Sequence, residues 1–132
     1  MNQANSPKGK NGTIVMDLDN TLTVESDAPY AKKIPNYPVI EACRKYHDLG
    51  FKIIIHTARN MRTYKGDIDT IMSVTYPIII EWLEKYNVAY DEVIVGKPWC
   101  GHHGFYVDDK AIRPSEFVSL SFEEINALIE CK

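Results

Sequence analysis

Thr13-Ile14-Val15-Met16-Asp17-Leu18-Asp19-Asn20-Thr21-Leu22-Thr23 is the stretch on which the reading of this chain turns. Its first four residues are mostly apolar and fit a buried strand, and the run stops at Asp17. Two carboxylates, Asp17 and Asp19, then follow within three residues. An Asp-x-Asp at a strand end is also ordinary turn chemistry. What decides between a turn and a reactive site is how the other strands end.

Working outward, Phe51 to Ile55 is a second apolar, β-branched run that closes with His56-Thr57 and reads as a buried parallel strand. Glu92 to Gly96 is the third strand, centred on Val93, Ile94 and Val95 and followed by Lys97. Phe105-Tyr106-Val107 is a short fourth, ending at Asp108-Asp109. Between these runs the pattern changes period. Ala28 to Pro38 is loop-like, with three prolines, and Val39, Ile40, Cys43 and Tyr46 then recur at helical spacing up to a terminator at Gly50. Residues 58–74 are expected to form a loop with a short turn of helix. Thr75 can cap a helix whose early Pro77 needs no donor, and Ile79, Trp82, Leu83 and Tyr86 make its apolar stripe. That stripe is most simply core; any exposed part of it could make a contact in a homo-oligomer. Ser121 and Glu124 form a capping-box pattern ahead of Ile125, Leu128 and Ile129.

Strand and helix alternate, so the expected fold is α/β, a Rossmann-like layer sandwich with a mainly parallel sheet. Residues 1–12 read as a flexible polar tail and 13–132 as one domain, since 132 residues leave little room for a second lobe. A net charge of -3 gives no support to a nucleic-acid partner, which would show as a basic face. No apolar run approaches the ~20 residues that span a bilayer, so no membrane partner is expected. Cys43, Cys100 and Cys131 cannot all pair within the chain, which suits a reducing, cytoplasmic setting.

Every reactive group lies at or just after the C-terminal end of an expected strand: Asp17 and Asp19, then Thr57, Lys97 and Asp108-Asp109. In open α/β sheets that edge is where ligands bind. Clustered carboxylates are costly to desolvate without a cation, and hard oxygen ligands suit Mg²⁺. A metal so held, with Lys97 and the Thr57 hydroxyl, makes a cradle for a phosphoryl group. A carboxylate can then attack phosphorus, while Asp19 protonates the leaving oxygen and later activates water.

These motifs resemble those of the haloacid dehalogenase superfamily of phosphohydrolases. Asp17 to Thr23 is similar to the first motif, Thr57 to the second, Lys97 to the third and Asp108-Asp109 to the double-aspartate form of the fourth. The resemblance implies that Asp17 is the nucleophile and a Mg²⁺ ligand. Asp19 would be the general acid/base, with its backbone carbonyl on the metal. Thr57 and Lys97 would bind phosphate, Asp108 would be the second metal carboxylate, and Asp109 would orient water or Lys97. An aspartate at position 19 is what phosphatases and phosphomutases of the superfamily carry. His56 to Arg62 and Gly96 to Gly101 look like small bacterial members often labelled capsular-polysaccharide biosynthesis phosphatases, which points to a sugar phosphate. Only 37 residues separate Asp19 from Thr57, and 39 separate Thr57 from Lys97. Each interval must hold a loop, a helix and a strand, so no separate cap domain is expected and the site should be open, unless a partner subunit covers it.

Around the expected site, Arg59 or Arg62 could grip a second anionic group of a small phosphorylated metabolite. Trp99 could stack on a sugar or base, and His103 could reach the substrate. Cys100 with His102 and His103 invites a zinc reading, but a structural zinc site wants four ligands at recognisable spacing. Two other functions fit some of the same residues. A phosphotransferase or mutase would use the same aspartyl-phosphate and differ in the acceptor. A receiver-like or non-catalytic phosphate-binding module would carry clustered aspartates without turnover, although receivers place their acceptor aspartate after an earlier acidic pair, the reverse of the order here.

Overall fold

The computed structural model describes residues 12–130. The tail expected over residues 1–12 therefore lies outside the described residues apart from Gly12, as does Cys131. The chain divides into two compact units, Met1–Trp99 and Cys100–Lys132.

The first unit is α/β. Strands β1 (Thr13–Met16), β2 (Lys52–Thr57) and β3 (Glu92–Val95) form a parallel sheet in that order. Met16 pairs with Ile55 and Val95 with Thr57, so the three strands end in register at one edge. β2 is the central strand, and Ile53 and Ile55 on one of its faces are fully buried. β1 differs from the buried strand expected. It is an edge strand with Val15 63% exposed, because only β2 pairs with it among the described residues.

Helix α1 (Tyr37–Asp48) has Pro38 in its first turn, where the missing N–H costs nothing, and buries Val39, Ile40 and Cys43. Its end is a Schellman motif. Gly50, at φ +99°, donates to the His47 carbonyl, and the Phe51 N–H donates to the Tyr46 carbonyl. The accompanying apolar contact is the edge-on packing of Tyr46 and Phe51, with ring centroids 5.1 Å apart.

The second helical stretch is longer than the sequence pattern indicates. It begins at Ile68 rather than after Thr75, as α2 (Ile68–Thr70), then a π-helical turn (Ile71–Thr75), then α3 (Tyr76–Lys85). Asp67, not Thr75, is the cap, and its carboxylate accepts from the Thr70 hydroxyl at 2.9 Å. The Thr75 hydroxyl instead donates to Asn60 Oδ1 at 2.7 Å, tying the helix to the loop after β2. Ile79, Trp82 and Leu83 are buried as the stripe requires, and Tyr86 caps the helix. Asn87, at φ +53°, then plays the part Gly50 plays after α1, with the Val88 N–H on the Leu83 carbonyl.

The second unit contains α4 (Pro114–Ser119) and α5 (Phe122–Glu130), with Phe117 and Ile125 buried. The Ser121–Glu124 capping box forms as expected. The Ser121 N–H donates to Glu124 at 2.8 Å, and the Glu124 N–H donates to the Ser121 hydroxyl at 3.1 Å. The fourth strand does not form. Phe105, Tyr106 and Val107 are 79%, 53% and 87% exposed and carry no ladder among the described residues. Three apolar residues cannot make a strand without a partner to pair with.

No helix among the described residues is long and apolar enough to cross a membrane.

Candidate functional site

At the C-terminal edge of the sheet Asp17 meets Lys97 and Asp19 meets Arg59. The turn after β1 is built from its own carbonyl: Leu18 O accepts from Leu22 N at 2.9 Å and from Thr23 N at 3.1 Å. Asn20 takes φ +62°, a conformation that asparagine tolerates, and its N–H donates to the Thr23 hydroxyl at 2.9 Å. Leu18, Leu22 and Thr23 are buried to 1% or less and anchor the turn in the core. Asp17 and Asp19, alternating with Leu18, keep 41% and 31% of their side chains exposed. The Thr21 hydroxyl donates to Asp17 Oδ2 at 3.2 Å.

Lys97 approaches from β3. Its Nζ lies 3.6 Å from Asp17 Oδ1. Two features place it there. Its N–H donates to the Thr57 carbonyl at 3.1 Å, and Gly96 turns the chain at φ +90°, where an added Cβ would meet Ile68 Cδ1 at 2.9 Å. Thr57 itself is buried, and its hydroxyl accepts the Arg59 N–H at 3.1 Å. Asp17, Thr57 and Lys97 thus come from three separate strands to one edge, as the sequence pattern anticipates.

Asp19 is engaged differently. Arg59 grips both of its oxygens, with Nε on Oδ2 at 3.1 Å and Nη2 on Oδ1 at 2.7 Å. The guanidinium is buried under the ring of Tyr30, 4.3 Å from the centroid. The loop carrying Tyr30 is held in turn by Trp82, whose indole N–H donates to the Lys33 carbonyl at 2.8 Å. Tyr30 escaped the sequence reading because no spacing or motif marks a lone aromatic in a proline-rich loop.

Arg62 is exposed and lies over the Trp99 ring at 5.6 Å from its centroid. In the second unit His103, Asp108 and Asp109 are exposed, and Asp108 Oδ1 accepts the Lys110 N–H at 2.9 Å in a local turn. The acidic pair therefore follows an exposed segment without regular secondary structure rather than a strand end. Among the described residues no group of three or more His, Cys, Asp or Glu is disposed to hold a metal ion. The buried Cys43 thiol is inert at neutral pH, since burial pushes its pKa up to about 12 against a smaller opposing pull from Arg44.

No family model and no curated protein matches the chain. Among solved structures, a Pnkp1/Rnl/Hen1 complex shows 20% identity over 88% of this chain and 35% of that one, with a TM-score of 0.47, a likeness too distant to bear on function. The crystal structure of a target protein from Vibrio cholerae is 56% identical over 89% of this chain and 96% of that one, with a TM-score of 0.88. At that identity and coverage, the chain belongs to the same family as the Vibrio cholerae protein.

Proposed function

We propose that this chain is a Mg²⁺-dependent phosphohydrolase of the haloacid dehalogenase superfamily, with a Rossmann-like fold and no separate cap domain. It would act on a small phosphomonoester, a sugar phosphate being the best fit, in the cytoplasm. The observation that carries the reading is the meeting of Asp17 and Lys97, 3.6 Å apart, at the sheet edge where Thr57 also ends its strand. A nucleophilic carboxylate beside a fixed cation suits phosphoryl transfer, in which the protein mainly positions groups and stabilises charge.

The chemistry follows from the side chains. An Asp17 oxygen attacks phosphorus, and the bond from phosphorus to the substrate oxygen breaks. Asp19 gives that oxygen its proton. Water then attacks the aspartyl-phosphate, Asp19 takes the water's proton, and phosphate leaves with Asp17 restored. Lys97 and the Thr57 hydroxyl hold the phosphoryl oxygens throughout.

The donors suit Mg²⁺, which takes one or two carboxylates and keeps several waters, so a cluster of three is not required. Asp17 offers a half-exposed carboxylate; with the Asp19 side chain held by Arg59, the backbone carbonyl of Asp19 remains as its donor. Asp17, the Asp19 carbonyl and Asp108 would hold the ion, which when bound adds charge neutralisation at the phosphoryl oxygens. Asp109 would orient water or Lys97, and Arg62, Trp99 and His103 are the proposed contacts to the rest of the substrate.

Phosphate release from a panel of phosphomonoesters, with Mg²⁺ or EDTA, tests the reading. Mg²⁺-dependent release should fall by on the order of 10³-fold or more in Asp17→Asn, with the fold kept. Equal turnover by the two proteins would remove Asp17 from the mechanism.

A further inference from the structure

We infer that Arg59 is a positioning residue for Asp19 rather than a contact to substrate, an inference that rests on the phosphohydrolase reading above. The guanidinium is almost wholly enclosed, its side chain 1% exposed, whereas a substrate-gripping arginine needs a free face. Nε and Nη2 are both committed to the two oxygens of Asp19. One face of the guanidinium lies under the Tyr30 ring, and the remaining Nη1 is buried without an acceptor among the described residues. Arg62, three residues on, is the contrasting case: exposed, and lying over an exposed indole.

Two further contacts make the arrangement a built one. The Arg59 N–H donates to the Thr57 hydroxyl, so the backbone that launches the guanidinium is fixed by the residue proposed to bind phosphate. Tyr30 begins a short 3-10 turn (Tyr30–Lys32), and Trp82 in the core holds the carbonyl of Lys33 that follows it. A planar fork held between a buried strand end and a pinned ring fixes the plane in which the Asp19 carboxylate lies. Asp19, about a third exposed on its turn, has no other side-chain hydrogen bond among the described residues to give its carboxylate an orientation. The proton transfers assigned to Asp19 depend on that orientation, because small misplacements of a transferring group carry large penalties.

The test uses the full chain and three variants, Arg59→Gln, Asp19→Asn and the double variant, assayed on an alkyl phosphate and on an aryl phosphate with a good leaving group. Arg59→Gln should lower kcat on the alkyl phosphate by on the order of 10²-fold and much less on the aryl phosphate. KM, and the affinity for inorganic phosphate measured by calorimetry, should hold. The double variant should be no slower than Asp19→Asn alone, because Arg59 acts through the group already removed. Arg59→Lys should restore only part of the loss, since an ammonium keeps the charge without the fork. Independent, multiplicative losses in the double variant would overturn the inference, as would weakened phosphate binding with kcat kept. Should Arg59→Gln not fold, Tyr30→Leu releases the guanidinium while leaving both charges; the same selective loss, smaller, supports the role and its absence overturns it. A wild type without Mg²⁺-dependent turnover would bring down the phosphohydrolase reading itself, and this role with it.

Discussion

The turn at residues 17–23 and the segment at residues 100–112 hold similar ingredients and fold in opposite ways. Both carry aspartates among apolar residues. In the first, Leu18 and Leu22 are fully buried, and one carbonyl gathers the N–H groups of the residues that follow. In the second, Phe105 and Val107 are 79% and 87% exposed, and Asp108 accepts the N–H of nearby Lys110. The difference shows what fixes a reactive side chain. Neighbouring apolar residues alone do not; an anchor in the core between the two carboxylates does.

The largest effect that tests this contrast is on stability. Leu18→Ala should cost about 2–5 kcal/mol in denaturant unfolding, because it opens a cavity at a fully enclosed site. Val107→Ala should stay within about 0.5 kcal/mol of wild type. A Val107 cost matching that of Leu18 would mean that the segment is packed in solution, and the contrast would fail.

A smaller pair sharpens the same comparison through glycine. Gly96→Ala combines a φ of +90° with a Cβ 2.9 Å from Ile68 Cδ1, and should lose about 1 kcal/mol or more. Gly101→Ala, at φ +80° with open space around the new carbon, carries the backbone strain alone and should lose less. Thermal melts of the two variants check the order. Shortening Ile68 to alanine in the Gly96→Ala background should recover the steric part.

How far the sequence could be read follows the same division. The strands at 52–57 and 92–95, the helix ending at Gly50, the stripe of α3 and the Ser121 cap were all legible, because each rests on local period or cap chemistry. The meeting of Asp17, Thr57 and Lys97 was legible too, since parallel strands in register must end together. The helix start at Ile68 was hidden because a π-helical turn breaks the 3.6-residue period there. Helix α4 was missed although Pro114 begins it and Glu116 accepts the Arg113 N–H at 2.8 Å, since six residues show too little periodicity. The expected strand at 105–107 failed for want of a partner, which no property of three apolar residues can supply. The Arg59–Asp19 grip joins residues 40 apart in sequence, and only the fold makes that choice of partner visible.

The smallest effect, nil at neutral pH, concerns the cysteines. Cys43 keeps its proton in the fold to about pH 12, while the same thiol in the unfolded chain ionises near its ordinary value of 9.0. The folded state binds the extra proton above that value, so stability should fall as pH rises from about 9 toward 12, with no Cys43 contribution below. Cys43→Ala should flatten that slope. In a Cys131→Ser background at pH 8, a thiol reagent should label Cys100 readily and Cys43 only at the rate of unfolding.

The central claim is that Asp17 carries the phosphoryl group between two half-reactions. Its most direct test is to quench the protein in acid while it turns over a phosphomonoester with Mg²⁺, trap the acyl phosphate by borohydride reduction, and map the site by mass spectrometry. The account predicts reduction at Asp17 and none in the Asp17→Asn protein. Turnover with the trapped group on another residue, or with no covalent intermediate under any quench, would contradict it.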